Sequence, residues 1–233
     1  MNCKKILSYL SPFEWALWAC SSVVIILSYV LGGDFYILTL IESLVGVSSL
    51  IFIAKGNVVG QFLIIVFSLL YGWVSLKFRY YGEMITYVFM SLPSAVVACI
   101  TWLKNPSKQG KAEVAIAKIT KRKLLLLSLA AIAVTVLFYF ILEYFNTPNL
   151  LLSTLSVTTS FFAASLLIFR SPYYALAYSA NDIVLIGLWV FASFESLSYL
   201  PMVFCFLTFL VNDCYGFLSW KKREKRQNSP SNN

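Results

Sequence analysis

Histidine is absent from the 233 residues of this chain, and only 12% of them are charged. The first absence removes the commonest metal ligand and general base. The second excludes an ordinary soluble domain, in which about a quarter of residues are charged. The five cysteines form no C-x-x-C pair, and no H-E-x-x-H, G-x-S-x-G or P-loop pattern occurs. Zinc-dependent hydrolysis, serine-nucleophile chemistry and ATP-driven pumping by this chain alone therefore lack their residues. Cys20, Cys99, Cys205 and Cys214 stand inside apolar runs, where a cysteine acts as a small buried hydrophobe. No cofactor is expected.

Apolar side chains are what the sequence has in excess: 60% of residues, with 17% aromatic. They fall into eight runs at 13–31, 35–54, 58–76, 83–103, 124–142, 150–169, 173–192 and 199–220, each near the roughly 20 residues that cross a bilayer as a helix. The fold class expected is an all-α integral membrane protein with eight transmembrane helices. The first run follows Lys4 and Lys5 like a signal peptide. It is too long for one and has no small-residue cleavage site, so it is expected to be retained.

The net charge of +8 is a topology signal. With the N-terminus in the cytoplasm, sixteen of the eighteen Lys and Arg fall inside and only Lys77 and Arg79 outside. The acids Asp34, Glu83, Glu143 and Glu195 then mark outer loops. Both termini are expected to be cytoplasmic, in the inner membrane of a bacterial-type cell, with the lipid bilayer and not nucleic acid as the surrounding partner. The segment 104–123 reads as the one long polar loop. The terminal KKREKR reads as an anchor at anionic lipid heads, and the residues from Asn228 onward as a disordered tail. Pro93 should kink the fourth helix, as a shape device or as a hinge.

Two stretches resemble one another. IFIAKGN matches LIFRSP, LLYGW matches LIGLW and ITWLK matches FLSWKK; Lys55 and Arg170 are 115 residues apart, Trp102 and Trp220 118. Three helices per copy would invert the second copy unless another helix intervenes, and the fifth run, with no polar centre, supplies it. The expected organisation is an N-terminal helix (1–33), a first three-helix repeat (34–104), a loop and linker helix (105–149), a second three-helix repeat (150–221) and a basic tail (222–233). Parallel repeats of this kind are a transporter architecture, with the site at mid-depth between the copies.

The segments KGNVVGQFLIIVFSLLYGW, YYGEMITYVFMSLPSAVVACITWLKNP, ALAYSANDIVLIGLWVFAS and SYLPMVFCFLTFLVNDCYGFLSWKKREKRQ resemble the PnuC family of vitamin transporters, usually nicotinamide riboside carriers. The resemblance implies a SWEET-like 3+1+3 core, a homotrimer, and facilitated diffusion made one-way by a cytosolic kinase that phosphorylates the riboside. Riboside carriers of the family typically place tryptophans four and seven residues before the position of Asp182. Here those positions hold Tyr178 and Ala175, with Tyr174 beside them. Family members also move thiamine, riboflavin or deoxynucleosides, so a nucleoside or vitamin is the class of cargo expected.

Asn181 and Asp182 stand mid-depth in the seventh run, where an unpaired charge costs roughly 2.5–3.5 kcal/mol and intramembrane acids usually serve function. They offer acceptors and an amide donor for a ribose diol or a carboxamide. Tyr178 and Tyr174 follow on the same face toward the cytoplasm, and an aromatic ring beside a carboxylate suits a pyridinium cation. Asn212 and Asp213 repeat the dipeptide in the eighth run, for substrate contact or for gating, with Asp213 near interfacial water or a lysine. Gln61, Ser68 and Tyr71 share one side of the third run; they line the same cavity or bond between helices. Glu42 in the second run is a protonatable group or a satisfied structural acid. Passive and ion-coupled transport both remain open. The mononucleotide is expected not to bind, because no basic residue stands at this depth to receive a phosphate.

Overall fold

The computed structural model describes residues 9–31, 36–108 and 112–229. Lys4, Lys5, the turn at Gly32, Gly33 and Asp34, and the tail beyond residue 229 lie outside the described residues. Among the described residues eight helices are long and apolar enough to cross a membrane: α1 Pro12–Leu31, α2 Ile37–Ala54, α3 Val59–Lys77, α4 Tyr81–Lys104, α5 Lys121–Tyr144, α6 Leu150–Ile168, α7 Tyr174–Glu195 and, after a single tight turn at Leu197–Tyr199, α8 Leu200–Asn228.

Helix ends follow local chemistry. The chain leaves α2, α3, α5 and α6 through a left-handed residue, Gly56, Arg79, Asn146 and Arg170. After α2 and α6 the same pair of bonds closes the turn: Asn57 N donates to Phe52 O and Gly56 N to Ile53 O, Ser171 N to Leu166 O and Arg170 N to Leu167 O. This reversal satisfies carbonyls that the helix end leaves open. At Pro93 the helix departs from regular α geometry. The turn before it, Tyr87–Ser91, widens to a π turn, which accommodates the missing N–H and the ring within one continuous span.

Packing divides the bundle into groups. α3 packs against α2 and α4, and α7 against α6 and α8; the groups meet where α8 lies on α2 and α4 on α6. α1 covers α2 and α8, while α5 touches α6 and buries little else, with Leu127, Ala131 and Leu142 its only buried residues. Close approach between α2 and α3 rests on Gly60, where a Cβ would stand 2.7 Å from the Ile53 backbone nitrogen. The similar tryptophans of the two stretches meet at the basic end, their rings 5.5 Å apart. Trp102 donates to the Leu167 carbonyl at 3.3 Å and Trp220 to the Ile53 carbonyl at 2.8 Å, each indole sealing the last turn of a helix in the opposite group.

Three expectations are corrected at this end. The segment after α4 is an ordered strap: Val114 N donates to Gly56 O at 2.9 Å, the Arg170 guanidinium to Ala115 O at 3.2 Å and Ala117 N to Arg170 O at 3.0 Å. Val114 is buried beneath Trp102 and Trp220, and the backbone satisfies itself on helix ends that sequence periodicity does not reveal. The eighth helix continues through the basic cluster to Asn228. Within that cluster Arg223 and Arg226 pair with buried Glu113, and the Gln227 amide bonds Val114 O and Ile116 N. These side chains hold the strap, whereas the sequence reading assigned them to lipid heads. Burial raises the Glu113 carboxyl, but the two guanidiniums outweigh it and hold it below the usual carboxylate range. Glu14 ties α1 to this end by accepting from Lys55 at 2.9 Å, Tyr215 at 2.9 Å and Ser11 N at 2.6 Å.

Candidate functional site

Helical spacing brings Tyr174, Tyr178, Asn181 and Asp182 of α7 to one face, one or two turns apart. That face, with α8 and the middle of α3, borders a cavity of about 60 Å³, room for water and not for a riboside. Asp213 of α8, Ser68 of α3, Ser91 of α4 and Ser160 of α6 add to its polar lining. Six of the expected site residues therefore converge here: Tyr174, Tyr178, Asn181, Asp182, Asp213 and Ser68.

The two acids define the chemistry. Asp182 and Asp213 are 3% and 4% exposed and line the same cavity. This corrects the expectation that Asp213 reaches interfacial water or a lysine. One Asp182 oxygen and the Ser68 hydroxyl have no partner. The lining contains no Lys or Arg. A cation is favoured in such a space and a phosphate is opposed by both carboxyls.

Asn181 is held by the neighbouring helix. Its amide oxygen accepts from Thr159 at 2.8 Å and Ser160 at 2.9 Å of α6, which fixes the orientation of the amide and leaves its NH₂ as the donor. Tyr174 packs edge-on against Trp220 with ring centres 4.8 Å apart, so the floor of the cavity rests on the tryptophan pair.

Four expected residues stand elsewhere. Tyr71 points away from Asp182 and lines a second cavity at the opposite end of the bundle. Phe67, Tyr87 and Phe206 pack tilted or edge-on against Tyr71, whose ring centre is 4.1 Å from that of Tyr87, and this aromatic layer stands between the two spaces. Asn212 turns toward α1, donating to Ser21 at 3.0 Å and to its own helix at Thr208 O, 2.7 Å. Gln61 and Glu42 are fully buried with unpartnered polar atoms, yet border neither cavity.

Glu83 is the residue the sequence reading missed. Assigned to an outer loop, it is instead buried in α4, accepting from Tyr71 at 3.4 Å and Ser156 at 3.3 Å. The signal was its spacing to Tyr87 and Met90, which share its buried face.

The family model described as nicotinamide mononucleotide transporter matches residues 36–222. A nicotinamide riboside transporter PnuC of Neisseria mucosa is 26% identical over 190 residues, 80% of this chain and 72% of that one. Another of the same name from Haemophilus influenzae is 27% identical over 218 residues, 93% of each chain. A solved structure described as the vitamin B3 transporter PnuC superposes with a TM-score of 0.82 at 25% identity, covering 94% of each chain.

Proposed function

The chain belongs to the PnuC family of membrane transporters, and we propose that its cargo is nicotinamide riboside and not the mononucleotide. The observation that carries this is the lining of the cavity at Asp182: two buried acids, an oriented amide and two tyrosines, with no basic side chain among the described residues. A pyridinium ring gains from the negative charge and from an aromatic face. The ribose diol finds acceptors in the carboxyls, and the carboxamide finds the Asn181 amide. A phosphate would enter beside Asp182 and Asp213 uncompensated. Tyr178 takes the place of one family tryptophan, and Tyr174 stands one residue from the other.

The reading extends to mechanism. Two three-helix groups joined by α5, whose tryptophans cap each other's helices, support the SWEET-like 3+1+3 arrangement behind an extra first helix. With the basic end inside, both termini are cytoplasmic, as expected of a bacterial inner membrane. Among the described residues Asp182, Asp213 and Glu83 have no basic partner, and no ATP-binding motif accompanies them. Facilitated diffusion, with trapping by a cytosolic riboside kinase, is the mode proposed, and a homotrimer the assembly that the family resemblance implies. No nucleophile–base pair is present on the cavity face, so the proposal is of a carrier and not an enzyme.

Uptake by proteoliposomes tests this. Saturable entry of nicotinamide riboside, blocked neither by loss of a proton gradient nor by excess mononucleotide, is the expected result. Preferred uptake of thiamine, riboflavin or a deoxynucleoside would overturn the cargo, and dependence on a proton gradient would overturn the passive mode.

A further inference from the structure

The second cavity, about 290 Å³, opens at the end opposite the strap, close to the roughly 300 Å³ at which small-molecule pockets begin. Its walls are rings: Tyr29, Tyr36, Tyr71, Phe78, Trp189 and Tyr199. They form a connected frame, with ring centres of Tyr36 and Phe78 5.8 Å apart, Phe78 and Tyr199 5.9 Å, and Tyr199 and Trp189 5.9 Å. Among the described residues no charged side chain lines the space. The Ser75 hydroxyl on its wall is 2% exposed and has no hydrogen-bond partner.

Behind this frame lies an acid that the site at Asp182 does not use. Glu42 is 0% exposed and neither carboxyl oxygen has a partner. It stands one helical turn from Thr39, which lines the cavity, and within electrostatic reach of Tyr29 and Tyr71, which wall it. The other acid at this wall, Glu83, is hydrogen bonded to Tyr71 and Ser156. Among the described residues no Lys or Arg is paired with either acid; the ion pairs lie at the basic end. An acid buried without a partner is held neutral, so the attraction for an organic cation comes from the aromatic faces themselves, and a flat cation presents the most surface to them.

We propose that this vestibule is a second, outer binding site for a planar aromatic cation, occupied before the cargo crosses the Phe67, Tyr71 and Tyr87 layer to reach Asp182. Trp189 and Tyr199 supply the faces. The inference stands on the vestibule itself and does not require the inner cargo to be nicotinamide riboside.

The test is equilibrium binding of radiolabelled 1-methylnicotinamide, a cation, and of nicotinamide, its neutral analogue, to the full chain in nanodiscs. The cation should bind about tenfold more tightly than the neutral ring. Trp189→Leu should remove most of that preference. Tyr199→Leu, at the half-buried rim, repeats the test should the first variant fail to fold. Because the inner cavity also favours a pyridinium, the ring variants are read in an Asp182→Asn background as well: cation binding that persists in Asp182→Asn and is lost on adding Trp189→Leu reports the outer site. Equal binding of the two probes, no effect of either ring variant, or loss of cation binding in Asp182→Asn would overturn the proposal. Riboside uptake by the wild-type chain is read in parallel: absent uptake with intact cation binding removes the proposed cargo and leaves the outer site standing.

Discussion

At the basic end Trp102 and Trp220 interlock and each seals a helix of the opposite group, while Glu113 binds the strap to Arg223 and Arg226. At the other end Tyr36, Phe78, Trp189 and Tyr199 frame open space and meet only ring to ring. Directional bonds and buried ion pairs lose their full value when the partners separate. Ring contacts can slide at small loss. The difference predicts that the aromatic end yields first, and that the cavity at Asp182, too small for the proposed cargo as it stands, enlarges from that side.

The largest effect expected is on the tight end. Trp220→Leu strips the Ile53 carbonyl of its donor and hollows the packing under Tyr174, costing about 3 kcal/mol, read as an earlier thermal transition in detergent. Trp73→Leu, at a tryptophan 60% exposed on the outer surface of α3, should leave that transition nearly in place. Equal shifts would erase the contrast.

Glu113→Gln comes next, at about 1–2 kcal/mol, since Arg226 is partly exposed and screened. Because the folded carboxyl titrates below its unfolded value, its stabilisation is full above the ordinary carboxylate range and fades as pH falls through the depressed value. Acid should therefore loosen the wild-type strap and leave the Gln variant unaffected, as followed by protease cleavage within 105–120. Smaller still is Ser160→Ala, which removes one of two donors to Asn181 and should weaken riboside binding by about 1 kcal/mol; an unchanged affinity would mean that the amide needs no such positioning.

Much of the fold was legible in the sequence for a physical reason. A run of about 20 apolar residues has few alternatives to a spanning helix, and all eight runs are helices. The Asn181 and Asp182 face was legible because two adjacent polar residues at mid-depth require a protein interior. Rotation was harder to read. Lipid-facing and protein-facing sides of these helices are both apolar, so nothing in α2, α3 or α8 announced that Glu42 and Gln61 lie off the cavities or that Asn212 turns to Ser21. Glu83 was read by its place after a basic turn, although its burial depends on α6, distant in sequence. The strap was illegible because its order comes from backbone bonds to Gly56 and Arg170.

The central claim is that the cavity between Asp182 and Asp213 takes a riboside cation. Calorimetric titration of nicotinamide riboside into the wild-type chain and Asp182→Asn tests it most directly. At least a tenfold loss of affinity in the variant is predicted, since removing one member of a buried charge contact costs about 2–5 kcal/mol, with no binding of the mononucleotide to either. Equal affinity for the riboside, or tight binding of the mononucleotide to the wild type, would contradict the account.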